Sequence, residues 1–254
     1  MPKTQIRIDY QLTFESAFHM GTGLRSGLIH RAAAKDPSGF LYVPGSTIKG
    51  VTRDRCARIG ALFHLPPDDP HRTDLADAHP DATLMALIFG SQFRGGHVHF
   101  DDAALTEEDR KLFTPPPALR EWRDRFLAWQ TEKRTQVSIW RPTGTAESGF
   151  LYNSEYGVAG LRFDGRIAGS LPAGLQGEWG LALLLAGLLS IDRIGGNKSS
   201  GGGLVACSIR RLLVGGKEAD YAAALGCLPE FARHAAGAAS AAGAAGEGGK
   251  EGSA

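Results

Sequence analysis

Ile6 to Phe18, IRIDYQLTFESAF, alternates apolar and polar residues, and a period of two predicts a half-buried strand. A Gly-rich turn, HMGTGLRSG, follows it. FLYVPGSTIKGVTRDRCARIGALF predicts a short strand, a break at Pro-Gly and then a helix. Ser46 or Thr47 is the expected N-cap, and Ile48, Val51, Cys56, Ile59 and Leu62 form the expected apolar face. Residues 64–80, rich in Pro, Asp and His, predict a loop, and ATLMALIFG a short helix or buried run. HVHFDDAAL alternates again and predicts a strand. Between Glu107 and Thr135, the residues Trp122, Phe126 and Trp129 are spaced like one helix face, and the three prolines at 115–117 break the chain before them.

Further on, TQVSIWRPTGTAESGFLYNSEYG reads as two strand-like arms around residues 142–148. GLRFDGRIAGSL predicts another strand, EWGLALLLAGLLSI a buried helix from Glu178 to Ile191, and GLVACSIRRLLV a last strand. The order is strand, helix, strand, irregular insert, strand, helix, strand. Two β-α-β halves on one antiparallel sheet make an α+β, ferredoxin-like (RRM-like) core. We expect a single domain over residues 1–234, with insertions at about 64–82 and 106–150. The Ala/Gly-rich residues 235–254 read as a disordered tail without chemistry.

A chain of 254 residues can bury a sizeable core. Its net charge of +1 rules out a polybasic binder as a whole, but a near-neutral total can hide a basic face. Residues 120–125, 133–141 and 210–217 are locally basic. Cys56, Cys207 and Cys227 are scattered, which gives neither a disulfide framework nor a CxxC metal site and fits a reducing interior. No apolar signal core follows Lys3, and no run nears the roughly 20 apolar residues of a membrane span. A cytoplasmic protein without membrane partners is the expectation.

Two loops carry candidate chemistry. PGSTIKG and GGNKSSGGG each combine glycines, hydroxyls and a lysine, the kit that cradles an anion with backbone N–H groups and a point charge. The first lies at a helix start, where orphan N–H groups already favour an anion. Neither is a nucleotide P-loop, because Asn197 stands where that pattern needs a Gly before the Lys. The second loop also reads as a plain helix-to-strand connection, since Gly often follows a helix. Two such loops in one domain suit a ligand with repeated phosphates, a nucleic-acid strand. His97 and His99 alternate on one strand as surface residues, with no third metal ligand evident.

FLYVPGSTIKGVTRDRC resembles the G-x-P-Y-I-P-G-S-S-x-K-G-x-x-R signature of the RAMP superfamily of CRISPR-associated proteins, and GGNKSSGGGLV resembles that family's C-terminal glycine-rich loop. FHMGTG, LIFGSQFRGGHVHFDDA and VSIWRPTGTAESGFLYNSEY are similar to its first turn, its central segment and the protruding hairpin, or thumb, of type III backbone subunits. The resemblance implies a subunit that binds CRISPR guide RNA and positions target RNA. Its partners would be other RAMP subunits and the large and small subunits of a type III effector complex. Carried over, Gly45, Ser46, Thr47, Lys49 and Arg53 would hold guide phosphates, and Gly195, Gly196, Lys198, Ser199 and Gly201 would form a second cradle. Arg134, Trp140 and Arg141 would lie on or near the thumb.

In cutting members an aspartate stands in the loop before the PGS motif, and here that loop reads RSGLIHRAAAKDPSG. His30 falls near the aspartate column, and Asp36 lies closer to the helix. These are the candidate catalytic residues, with His30 a general base on a 2′-hydroxyl and His19, at the first turn, both a candidate RNA-binding residue and its candidate partner. The expectation leans towards a subunit that binds without cutting and needs no cofactor to bind. The alternatives are a metal-dependent endoribonuclease, using Mg²⁺ on target or precursor guide RNA, and a generic single-strand RNA-binding module.

Overall fold

The computed structural model describes residues 2–21, 31–63, 83–90 and 95–230. The expected loop at 64–80, His30 and the Ala/Gly tail lie outside the described residues.

Strand β1 is Lys3–Phe14, β2 is Tyr42–Val43, and helix α1 is Gly45–Leu62. Helix α2 (Thr83–Phe89), strands β3 (Val98–Phe100) and β4 (Ala103–Leu105) and helix α3 (Glu107–Leu112) follow. A 3₁₀ turn at Pro117–Trp122 leads into α4, Arg123–Ala128. Then come β5 (Thr131–Trp140), β6 (Thr145–Gly157), β7 (Arg162–Pro172) and α5 (Leu175–Leu189). Strands β8 (Val205–Val214) and β9 (Lys217–Glu218) and helix α6 (Tyr221–Leu225) complete the order.

The main sheet is antiparallel. β1 lies between β7 and β8, β3 and β4 both pair with the far edge of β7, and β2 and β9 add short edge pieces. Counting only the strands of the two β-α-β halves, this is the ferredoxin-like order 4-1-3-2. Along β1 the even residues Ile6, Ile8, Tyr10, Leu12 and Phe14 are buried in the core with the leucines of α5. The odd residues Arg7, Asp9 and Gln11 therefore face the other side of the sheet. α5 is apolar nearly all round because it is enclosed between the sheet and neighbouring helices. Gly187 brings it close to α1, since a side chain there would run into the Cys56 sulfur.

Four local expectations are corrected. Neither Ser46 nor Thr47 caps α1, which starts at Gly45 with Pro44, two residues before Ser46, in the cap position and no side-chain cap of its own. The Asp102 carboxylate instead accepts the Gly45 N–H at 2.7 Å. HVHFDDAAL is two strands, not one, because residues 101–103 bulge against residues 165–166 of β7 between the two pairings. Trp122, Phe126 and Trp129 do not share one helix, since the first ends a 3₁₀ turn and the last caps α4. Leu62, placed on the apolar face of α1, is exposed at its end.

Candidate RNA interface

β1 ends at Phe14, and the next seven residues run across the ends of three other elements. Phe18 exchanges both backbone hydrogen bonds with Gly157 at the end of β6, at 3.1 and 2.7 Å. Its ring stacks on Phe14, with centroids 3.9 Å apart. Ser16 accepts the Leu204 N–H at 2.8 Å and donates to the Gly201 carbonyl at 3.1 Å. The first turn thus docks the base of the hairpin on one side and the glycine-rich loop on the other.

His19 joins the two. Its carbonyl accepts the Gly196 N–H at 2.9 Å. Its Nδ1 lies 2.7 Å from the Glu155 carbonyl, and since a carbonyl only accepts, Nδ1 carries the proton. The ring is 8% exposed and tilts against Tyr156. Gly195 is needed for this approach, because φ is +100° and a Cβ would sit 2.6 Å from the His19 carbonyl oxygen.

Beyond it, Asn197 adopts a left-handed conformation, φ 59°, and donates from Nδ2 to the Tyr156 hydroxyl. Lys198–Ser200 make a 3₁₀ turn with exposed side chains. The amides of Ser200, Gly201 and Gly202 bond back to Asn197 and Lys198 within the loop, while those of Gly196 and Gly203 go to the His19 and Ala17 carbonyls of the first turn. Among the described residues, those of Asn197, Lys198 and Ser199 enter no such bond. Lys198 and Ser199 are exposed on this turn, and Gly196 and Gly201 shape the loop through their own backbone bonds.

At the first cradle Gly45 serves close packing, since a Cβ there would run into the Phe100 carbonyl. Its N–H is held by Asp102, so this amide is not offered to a ligand. Ser46 is exposed, and Lys49 and Arg53 share one flank of α1 at a four-residue spacing. An Arg55–Asp192 ion pair ties α1 to the segment leading into the glycine-rich loop.

β5 and β6 form a two-stranded sheet separate from the main one. Trp140, 53% exposed, and Arg141 lie at its tip. Arg134 lies nearer its base, with its guanidinium 4.8 Å from the centroid of the Tyr156 ring and paired with Glu132.

Glu155, Tyr156, Asn197 and Gln130 were not singled out from the sequence. Glu155 is 5% exposed and accepts from Lys35 at 2.6 Å, the Ala33 N–H at 3.1 Å and the Thr131 hydroxyl at 3.0 Å. Burial alone pushes its carboxyl up, but the Lys35 ammonium and these donors outweigh it and hold the pKa below its ordinary 4.5. Gln130, fully buried, accepts from the Leu41 N–H and donates to the Gly39 and Leu127 carbonyls.

Asp36 is occupied structurally. One carboxylate oxygen accepts the Ser38 and Phe40 amides at 2.8 and 2.9 Å, and the other faces Arg110 at 3.7 Å. That is the pattern of an aspartate holding its own turn. Among the described residues no group of three or more His, Cys, Asp or Glu is placed to hold a metal ion. Nor is any described helix long and apolar enough to cross a membrane.

The family model of the RAMP superfamily matches residues 11–206, from the middle of β1 into β8. The chain belongs to the RAMP superfamily. The matched stretch holds both cradles, His19 and the whole hairpin. A chain in the cryo-EM structure of a type III-B Cmr-beta complex bound to cognate target RNA has the same fold, with a TM-score of 0.53 and 13% identity over 80% of this chain and 96% of that one. A chain in the apo state of a type III-B Cmr-beta complex gives 0.51 and 13% over 80% and 97%. No curated protein matches the sequence. In this RAMP protein the fold brings the glycine-rich loop, the first turn and the hairpin base into one continuous surface.

Proposed function

We propose that this RAMP protein is a guide-RNA-binding backbone subunit of a type III CRISPR effector complex, positioning target RNA without cutting it. One observation carries the reading. His19 fastens a turn with unused amides and an exposed lysine to the base of a separate two-stranded hairpin that carries Arg134 near its base and Arg141 at its tip. Such a surface holds a phosphate backbone in place and reads no base, which suits a subunit that must accept any guide sequence. The exposed indole at the tip offers a face on which a base of any identity can stack. Chains of the same fold in a complex bound to target RNA support the assignment to an effector assembly. The engagement of Asp36 in its own turn supports binding without cutting.

The test is to assemble the complex and present a labelled complementary RNA with Mg²⁺, for wild type, His30→Ala and Asp36→Ala. Bound, uncut target in large ribonucleoprotein particles is expected for wild type and both variants. Regularly spaced products that vanish in one variant would make the chain a nuclease and refute the second half of the reading. Failure of the chain to enter particles with guide RNA would refute the first half.

A further inference from the structure

The face of the sheet opposite α5 holds an open bay of about 530 Å³. Its walls are the odd residues of β1 and their neighbours on β7 and β8, and one end is the bulge at Asp101 and Asp102.

Most charges in the bay are matched. Asp9 pairs with Arg7 at 2.9 Å and with Arg166 at 3.1 Å. Gln11 accepts from Arg210 and donates to Asp164 at 2.9 Å. The mismatch lies at the Asp101 end. Asp102 gives one oxygen to Gly45, Asp164 gives one to Gln11, and the Asp101 carboxylate has no partner among the described residues. Tyr10 reaches this end from the core side of the sheet, its ring lying across Gly165 on the neighbouring strand. Its side chain is 1% exposed, and its hydroxyl has no hydrogen-bond partner. Burial, then the nearby Cys207, Asp101 and Asp102, raise its pKa, so it stays a neutral phenol. A buried hydroxyl left unmatched costs about 1–3 kcal/mol, and it can both donate and accept.

We infer that this end of the bay receives a basic side chain, arginine or lysine, from a neighbouring protein subunit. A guanidinium brings several N–H donors in one plane, enough to reach Asp101, the second oxygens of Asp102 and Asp164, and the phenol oxygen. RNA does not fit, because the odd positions of β1, Gln5, Arg7, Asp9, Gln11 and Thr13, offer no ring for a base and the unmatched charge is negative. The inference rests on the proposed function only for the existence of a protein neighbour.

The test is carboxyl labelling with a carbodiimide and glycine ethyl ester, on the full chain alone and in the assembled complex, read by mass spectrometry. Asp101 is expected to label in the free chain and to lose that labelling on assembly, before and after nuclease treatment. Asp101→Asn should weaken incorporation about tenfold, the loss of one charged hydrogen bond, and leave guide binding by the isolated chain unchanged. Equal labelling in an intact complex overturns the inference and leaves the RNA reading standing, as does protection that disappears with nuclease. If no complex assembles, the RNA reading falls instead, and titration of the free chain with N-acetyl-arginine amide decides the bay. Saturable shifts at Tyr10 and Asp101 that are lost in Asp101→Asn and weakened in Tyr10→Phe uphold it, and their absence sinks it.

Discussion

His19 Nδ1 donates to the Glu155 carbonyl, and the His19 carbonyl accepts from Gly196, so one residue fixes the hairpin base and the glycine-rich loop relative to each other. His19→Ala removes the ring bond and the Tyr156 contact. A loss of about 1–3 kcal/mol in folding stability is expected, together with weaker guide binding. An Asn amide can place its N–H near the position of Nδ1, so His19→Asn should restore most of both. Chemical denaturation and filter binding measure the two effects. Equal losses in His19→Asn and His19→Ala would show that the bond to Glu155 does not matter.

Lys49 and Lys198 present charge from different elements, one on α1 and one on the 3₁₀ turn. If each neutralises a phosphate, Lys49→Ala with Lys198→Ala should lower the slope of log affinity against log salt by about 1.4, roughly 0.7 per contact on a single strand. The loss should be the same for unrelated guide sequences. An unchanged slope would place both lysines away from the backbone.

Glu155 makes a pH prediction. Its folded pKa is held below its unfolded value, so the unfolded chain takes up the proton first on acidification. The carboxylate's contribution to stability is complete above about pH 4.5 and is lost as pH falls through the folded value. Glu155→Gln should therefore lower stability at neutral pH and flatten the decline below pH 4.5. Parallel acid limbs for wild type and variant, followed by circular dichroism, would contradict this.

Gln130 stands in for a missing stretch of backbone, matching three groups of residues 39–41 and α4. Gln130→Leu keeps the volume and orphans them, at roughly 1–3 kcal/mol per buried group. Gln130→Glu should cost more still, since a buried carboxylate keeps the acceptor for Leu41 but turns an unpaired charge towards the Gly39 and Leu127 carbonyls. Urea midpoints of the two variants test that order.

What the sequence revealed follows from the range of the forces involved. β1 and α5 were legible because burial stamps a period, or its absence, on consecutive residues. The two arms around residues 142–148 were legible for a similar reason, with turn residues between strand formers. The start of α1 was not, because its cap is Asp102, far along the chain, and no local pattern names it. The same carboxylate helps explain why HVHFDDAAL breaks in two. Arg134 was placed correctly on the hairpin, but its position over Tyr156 depends on a ring held by His19 and Asn197. Nothing local in the sequence singles out Glu155, and only the fold shows that Lys35, Ala33 and Thr131 surround it.

The place of β1 has a consequence for how the molecule comes into being. Ile8 pairs with Ile167 on one side and Leu212 on the other, so the strand made first must wait for partners made near the end. Until then it is an edge with both flanks open, on a ribosome adding about 5–20 residues per second. Contacts this distant in sequence make for slow folding. The alternating charges of β1, Arg7 beside Asp9, guard such a strand against pairing with the wrong chain while it waits.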